Sequence, residues 1–148
     1  MSEIEEFLTK EEEQKIVEAI RVAEKETSGE IRVHIENDST KDCLDHAKEV
    51  FHLLHMNETE EKNGVLFYVA VDTHQFAIIG DKGIDNKVPN NFWNDVKDTV
   101  TGQFSKGNRA DGLILGILEA GQKLQQYFPY KEGDKNELPD DISKSEFK

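Results

Sequence analysis

The spacing of apolar residues near the start of the chain is first that of a helix and then that of a strand. Thr9 and Glu12 have the spacing of a capping box, and Ile16 and Ile20 follow on one face. This pattern predicts a first helix that ends near Gly29. Over 31–36, Ile, Val and Ile alternate with Arg, His and Glu. The alternation indicates a strand that is covered mainly on one face.

The middle of the chain predicts a second helix and two more strands. Apolar residues recur at helical spacing over 41–56, whereas the run over 65–71 is apolar without alternation. Such a run is typical of a strand covered on both faces. A third strand over 75–80 follows the short polar break at 72–74, whose length suits a hairpin. We therefore expect strands one and two to be parallel, through a right-handed crossover, and strands two and three to be antiparallel.

Two further helices are predicted in the last part of the domain. Pro89 fits the entry to a third helix that carries Trp93 and Val96. The segment over 111–128 is apolar nearly all round in its first half, and its length favours a helix over a buried strand. After it the chain is polar and is expected to be irregular. We interpret the chain as a single α/β domain over residues 1–130, followed by a polar tail over 131–148.

Several of these segments together resemble a known family. The stretches SGEIRVHI, NGVLFYVA, IIGDKGI and GLILGI are similar to those of the TPM domain family, whose founders are a thylakoid-lumen protein, a photosystem II repair protein and a worm receptor modulator. NELPDDIS in the tail resembles the soluble branch of that family. The resemblance implies a three-layer α/β/α sandwich with a small mixed β-sheet flanked by helices. It also implies divalent-cation binding at acidic loops and, from the thylakoid member, a weak acid phosphatase activity.

Charge and composition narrow the classes of function. The net charge is −13, and a field of this sign repels nucleic acid phosphates and anionic lipid heads. We therefore expect no nucleic acid partner and no membrane partner, while divalent cations and basic proteins would be attracted. Cys43 is the single cysteine, so no intrachain disulfide can form. The acidic N-terminus does not resemble a secretion signal, and no apolar run is long enough to cross a bilayer. These features predict a soluble cytoplasmic protein.

Acidic residues lie at the ends of the predicted strands. With strands one and two parallel and strand three antiparallel, Glu30, Asp81 and Asp85 fall at one edge of the sheet. Asp111 would join them if the last helix begins at that edge. Carboxylate oxygens are preferred ligands of Ca²⁺ and Mg²⁺, so a site for either ion at Asp81, Asp111, Glu30 and Asp85 is the first hypothesis. Each acid, taken alone, could instead cap a turn or a helix. The opposite edge is expected to collect Asn37, Asp38, Asp72 and His74.

Two alternative functions remain open. The resemblance implies a metal-assisted phosphomonoesterase, in which the bound ion would polarise the phosphoryl oxygens. Lys82 and Lys87 are the nearest cations in sequence, and no catalytic residue is assigned. The acidic charge implies an interaction module that holds a basic protein partner. His52 and His55 are interpreted as a partly buried pair on the second helix rather than as a zinc site.

Overall fold

A mixed sheet forms the middle layer of the molecule. The structure is a computed structural model, and it describes residues 7–37, 43–71, 75–130 and 142–145. The strands are β1 (Glu30–Glu36), β2 (Gly64–Ala70), β3 (Gln75–Gly80) and β4 (Ser143–Ser145). Their order in the sheet is β3-β2-β1-β4. The pairing of β1 with β2 is parallel and that of β2 with β3 is antiparallel, as predicted, and β4 is parallel to β1.

Helices cover both faces of this sheet. In chain order they are α1 (Lys10–Ala23), α2 (Cys43–Leu53), a 3-10 turn (Met56–Glu58), α3 (Lys82–Asp85), α4 (Asn94–Ser105) and α5 (Arg109–Leu124). Helices α1, α4 and α5 pack on one face, and α2 with the 3-10 turn packs on the other. The predicted α/β/α sandwich is confirmed.

The sheet separates two apolar clusters, and β2 contributes to both. Val65, Phe67 and Val69 belong to the larger cluster with α1, α4 and α5. Leu66 and Tyr68 belong to the smaller cluster with α2. Successive residues of a strand point to opposite faces, so both sets must be apolar when both faces are covered. This explains why the sequence of β2 is apolar without alternation.

Most of the predicted helix signals hold, but Pro89 does not open the third predicted helix, which is α4 and begins at Asn94 after Trp93. The capping box is confirmed, because Glu12 N donates to Thr9 Oγ1 at 3.1 Å and Thr9 N donates to Glu12 Oε1 at 2.9 Å. Helix α1 ends at Ala23, before the predicted stop at Gly29. The apolar segment that begins near residue 111 is a helix, as favoured, and its Gly116 lets it lie close to the sheet. A Cβ on Gly116 would be 3.2 Å from the ring of Phe67.

Three features differ from the expectations or were not predicted. β1 is buried on both faces, and His46 of α2 lies over the face that carries its polar residues. The segment that follows β3 forms the short helix α3. Residues 143–145, in the part of the chain expected to be irregular, form the edge strand β4. The hairpin break at 72–74 lies outside the described residues. In the described ranges, the helices are too short or too polar to span a bilayer.

Candidate functional site

One edge of the sheet brings Glu30 and Asp81 to either side of a glycine. Glu30 pairs with Gly64 in the β1–β2 register, and Asp81 N donates to the carbonyl oxygen of Gly64 at 3.0 Å. Because side chains alternate along a strand, Glu30 lies on the same face as His34, and Asp81 on the same face as Ile79. Both faces are the α2 side of the sheet. Two buried carboxylates therefore flank a position that has no side chain.

Asp81 has one carboxylate oxygen that is satisfied and one that is not. Its Oδ1 accepts a hydrogen bond from Lys82 N at 2.7 Å and so caps α3. Its Oδ2 is buried and accepts no hydrogen bond within the described part of the chain, and the residue is only 6% exposed. A buried polar atom without a partner is costly. The oxygen could therefore accept a cation, or a hydrogen bond from a donor outside the described residues.

Asp85 lies close enough to Asp81 to feel its charge. Burial raises the pKa of Asp85, the negative charge of Asp81 raises it further, and the charge of Lys48 opposes both. The net effect is a raised pKa, so the two carboxylates repel each other in the absence of a cation. We define Glu30, Asp81 and Asp85 as the acidic edge. A divalent cation there would offset this repulsion.

Asp111 is not part of the acidic edge, and the expectation that it would join Asp81 and Glu30 was wrong. It lies in the first turn of α5. The last residue of α5, Leu124, is the one that lies near Glu30, because its side chain would be 3.2 Å from a Cβ placed on the neighbouring Gly29. At 1.5 Å per residue, Asp111 is about 20 Å from that end of the helix. Helix α5 begins at the other end of the sheet, a direction that the sequence did not reveal.

The remaining predicted positions are less informative. Within the described ranges, no three or more His, Cys, Asp or Glu side chains form a group that could hold a metal ion. Ligands at the acidic edge would thus have to include backbone carbonyls and water, which Ca²⁺ and Mg²⁺ accept. At the opposite edge Asn37 is described and is partly buried. Asp38, Asp72 and His74 lie outside the described residues.

A second polar group, which the sequence analysis missed, lies under α2. The carboxylate of Glu36 is buried and faces two histidines and a tyrosine. Its Oε1 is 3.1 Å from His34 Nε2, its Oε2 is 2.6 Å from His46 Nε2, and Tyr68 donates its hydroxyl hydrogen to Oε2. We call Glu36, His34, His46 and Tyr68 the Glu36 cluster. His34 continues outward through a 2.9 Å contact between Nδ1 and the hydroxyl of Ser143.

The surroundings of Glu36 favour its ionised form. Burial on its own raises the pKa of Glu36, but the hydrogen bonds from His34 and Tyr68 and the charges of His46 and His34 outweigh that effect. The net pKa is lowered. A buried carboxylate is tolerated when donors and positive charge surround it. The Glu36 cluster is therefore a compensated charge in the smaller of the two cores.

The alternation in β1 concealed this cluster. His34 and Glu36 occupy the polar positions of an alternating strand, which usually face water. The overlooked signal was the apolar stripe of α2, because Ala47, Val50 and Phe51 need a sheet face to cover. The interpretation of His52 and His55 as a partly buried pair was also wrong. Both are exposed, since α2 ends at Leu53 and His55 takes a left-handed φ of 59°.

Gly83 allows α3 to pack closely against the loop before β2, and this close packing can be tested. Gly83 N donates to Lys62 O at 2.8 Å, and a Cβ on Gly83 would be 2.5 Å from that oxygen. We expect Gly83→Ala to destabilise the protein by about 1–3 kcal/mol, as overpacking does, in urea unfolding. Gly102→Ala is the matched control, because a Cβ there meets nothing within 4 Å. This helix position should gain about 0.5–1 kcal/mol. Equal effects at both sites would contradict the packing argument.

The protein is an α/β/α sandwich with carboxylates at one edge of its sheet. Its similarity to known proteins shows the family. The chain belongs to the TPM domain family, whose model matches residues 2–123. It is similar to the BA42 protein from the psychrophilic bacterium Bizionia argentinensis, solved by NMR. The two are 54% identical with a TM-score of 0.91, over 98% of this chain and 100% of that one. The N-terminal domain of a protein from P. gingivalis shares the fold, with 20% identity and a TM-score of 0.66 over 82% of this chain and 79% of that one. No curated protein matches the chain.

Proposed function

We propose that this TPM domain binds a divalent cation, Ca²⁺ or Mg²⁺, at the acidic edge. The supporting observation is Asp81 Oδ2, a buried carboxylate oxygen that accepts no hydrogen bond from the described residues. Glu30 contributes a second buried carboxylate on the other side of Gly64. Asp85 contributes an exposed carboxylate, whose pKa is raised by partial desolvation and by the charge of Asp81. Asp111, at the other end of α5, takes no part in this proposed site.

The chemistry of the edge fits a hard cation better than a soft one. Its candidate ligand atoms are oxygens from carboxylates and from the nearby backbone, and such ligands suit Ca²⁺ and Mg²⁺. With few protein ligands, a bound ion would keep several water molecules, as Mg²⁺ commonly does. The ion would relieve the repulsion between Asp81 and Asp85. Binding would therefore stabilise the folded state and link β1, which carries Glu30, to the turn between β3 and α3.

The test is a calorimetric titration with each ion, paired with thermal melting in the same buffer. Mass action predicts stabilisation by about 2.7 kcal/mol when the free ion is at about 100 times its dissociation constant. Because the net charge is −13, any salt also screens self-repulsion. Sodium chloride at equal ionic strength is therefore the control. No heat and no melting shift beyond that control, for either ion, would exclude the proposal.

The other hypotheses remain predictions. Phosphomonoesterase activity would need cations that face a phosphate, but Lys82 is exposed and Lys87 lies over the ring of Phe128 at 4.4 Å. Hydrolysis of an aryl phosphate that EDTA and Asp81→Asn both abolish would support it. Capture of a basic protein partner, a cytoplasmic location and membership of the soluble branch likewise stay predictions.

A further inference from the structure

The edge strand β4 is held to the rest of the sheet by a short set of contacts. It pairs with β1 at His34, Ile35 and Glu36. Beyond the backbone, Ser143 contacts His34 Nδ1 at 2.9 Å, Lys144 forms an ion pair with Glu13 of α1, and the adjoining Ile142 packs against the larger core. A strand of three residues has few ladder hydrogen bonds. Its side-chain contacts therefore carry a large share of its attachment.

One of these contacts depends on the charge of Glu36. His34 presents Nε2 to Glu36 Oε1 and Nδ1 to Ser143, so the carboxylate fixes the ring that meets β4. His46 Nε2 and the Tyr68 hydroxyl converge on the other oxygen of Glu36. An ionised carboxylate accepts hydrogen bonds and donates none. The described contacts thus suit the ionised form of Glu36, in line with its lowered pKa.

We propose that the Glu36 cluster is an acid-sensitive latch, in which protonation of Glu36 releases β4 from the edge of β1. A protonated carboxyl has lost its charge and carries an O–H donor, so it accepts more weakly from the groups that now converge on it. The hydrogen bond that orients the ring of His34 is then lost or weakened. Ser143 loses its fixed partner, and the short ladder of β4 is left with Lys144 and Glu13 as its described ion pair.

The sign of the pH dependence follows from the groups around Glu36. Because its pKa lies below the ordinary value of 4.5, the latch is closed at neutral pH and opens only as the pH falls below that value. Glu49 of α2 faces His46 Nδ1 at 3.4 Å from the outer side.

Other titratable groups lie near Glu36 and β4. Tyr68 faces Glu36 through its hydroxyl, and Cys43 packs beside the smaller core. Arg32 is on the same face of β1 as Glu36, with His34 between them. Glu13 is the one other described acid in contact with β4. It is therefore the competing sensor that an experiment must separate from Glu36.

Opening of the latch would expose an edge of the sheet. The backbone groups of β1 at residues 34–36, which β4 now pairs, would become available to another extended chain. The fold thereby links the protonation of one buried carboxylate to the exposure of a strand edge.

The test is the {¹H}–¹⁵N nuclear Overhauser effect of the amides in β4, measured from about pH 7 down to about pH 3 with β2 amides as the internal reference. In the unmodified chain we expect β4 to change from rigid to mobile below pH 4.5 while β2 stays rigid. Glu36→Gln should make β4 mobile already at neutral pH. Glu13→Gln is the matched control and should keep the acid transition.

Each remaining outcome overturns the latch. These outcomes are a β4 that stays rigid until β2 unfolds with it, an acid transition that disappears in Glu13→Gln, and a rigid β4 in Glu36→Gln at neutral pH. If Glu36→Gln fails to fold, Ser143→Ala provides the same decision, because it removes only the contact between β4 and His34. Its β4 should be more mobile at neutral pH with β2 unchanged, and an unaltered β4 in this variant counts against the proposal.

Discussion

Replacing Glu36 with alanine is expected to destabilise the protein by about 3–5 kcal/mol at neutral pH, the cost of removing one partner from a buried charge pair. Tyr68 would lose the acceptor of its buried hydroxyl, and His34 and His46 would lose the carboxylate that they face. For a domain of this size such a loss lowers the melting temperature by about 10 °C. Urea unfolding followed by far-ultraviolet circular dichroism measures it.

The matched control is Glu58→Ala, which breaks a histidine–carboxylate pair on the surface. His55 Nδ1 and Glu58 Oε2 are 2.6 Å apart, but both side chains are well exposed, at 77% and 63%. Exposed pairs of this kind contribute roughly 0–1 kcal/mol, although the distance is the same as that between His46 and Glu36. If the two substitutions cost the same, burial is not what makes Glu36 important.

The effect of Glu36→Ala should shrink as the solution is acidified. A carboxyl whose pKa is lower in the folded than in the unfolded chain stabilises the fold above its unfolded pKa, and this stability is lost as the pH falls through the folded pKa. The pKa of Glu36 is lowered in this way. Unfolding curves of the two proteins should therefore converge below pH 4.5, and a difference that grows in acid would contradict the assigned charge state.

The architecture could be predicted because it depends on periodic and local signals. The capping box at Thr9 and Glu12, the uninterrupted apolar run of β2 and the short break before β3 each act over a few residues. They fix the elements and the parallel and antiparallel pairings.

The site could be predicted only in part, because it depends on directions and distances between elements. Glu30 and Asp81 lie on one edge as expected, since strand polarity alone places them there. The position of Asp111 depended on the direction of α5, for which the sequence had no local signal. The burial of Glu36 depended on what packs over the second face of β1, where His46 of α2 contacts it. Alternating polarity describes the strand but not what packs over it.

The last prediction concerns the carboxylates of the acidic edge, and it separates them by role. Asp81→Asn should abolish most of the melting shift that Ca²⁺ or Mg²⁺ produces, because it removes the charge from the buried Oδ2 position. Without metal, the variant should be as stable as the parent or slightly more so, since the repulsion that raises the pKa of Asp85 disappears.

Asp111→Asn is the matched control for that experiment. It removes an equal charge from an exposed position at the far end of α5, so the metal-dependent shift should stay within error of the parent. Glu30→Gln and Asp85→Asn should fall between these extremes, with Glu30→Gln the more damaging because Glu30 is buried and Asp85 is exposed. If Asp111→Asn abolishes the shift and Asp81→Asn preserves it, the cation binds at the other end of the sheet and the acidic edge is not the site.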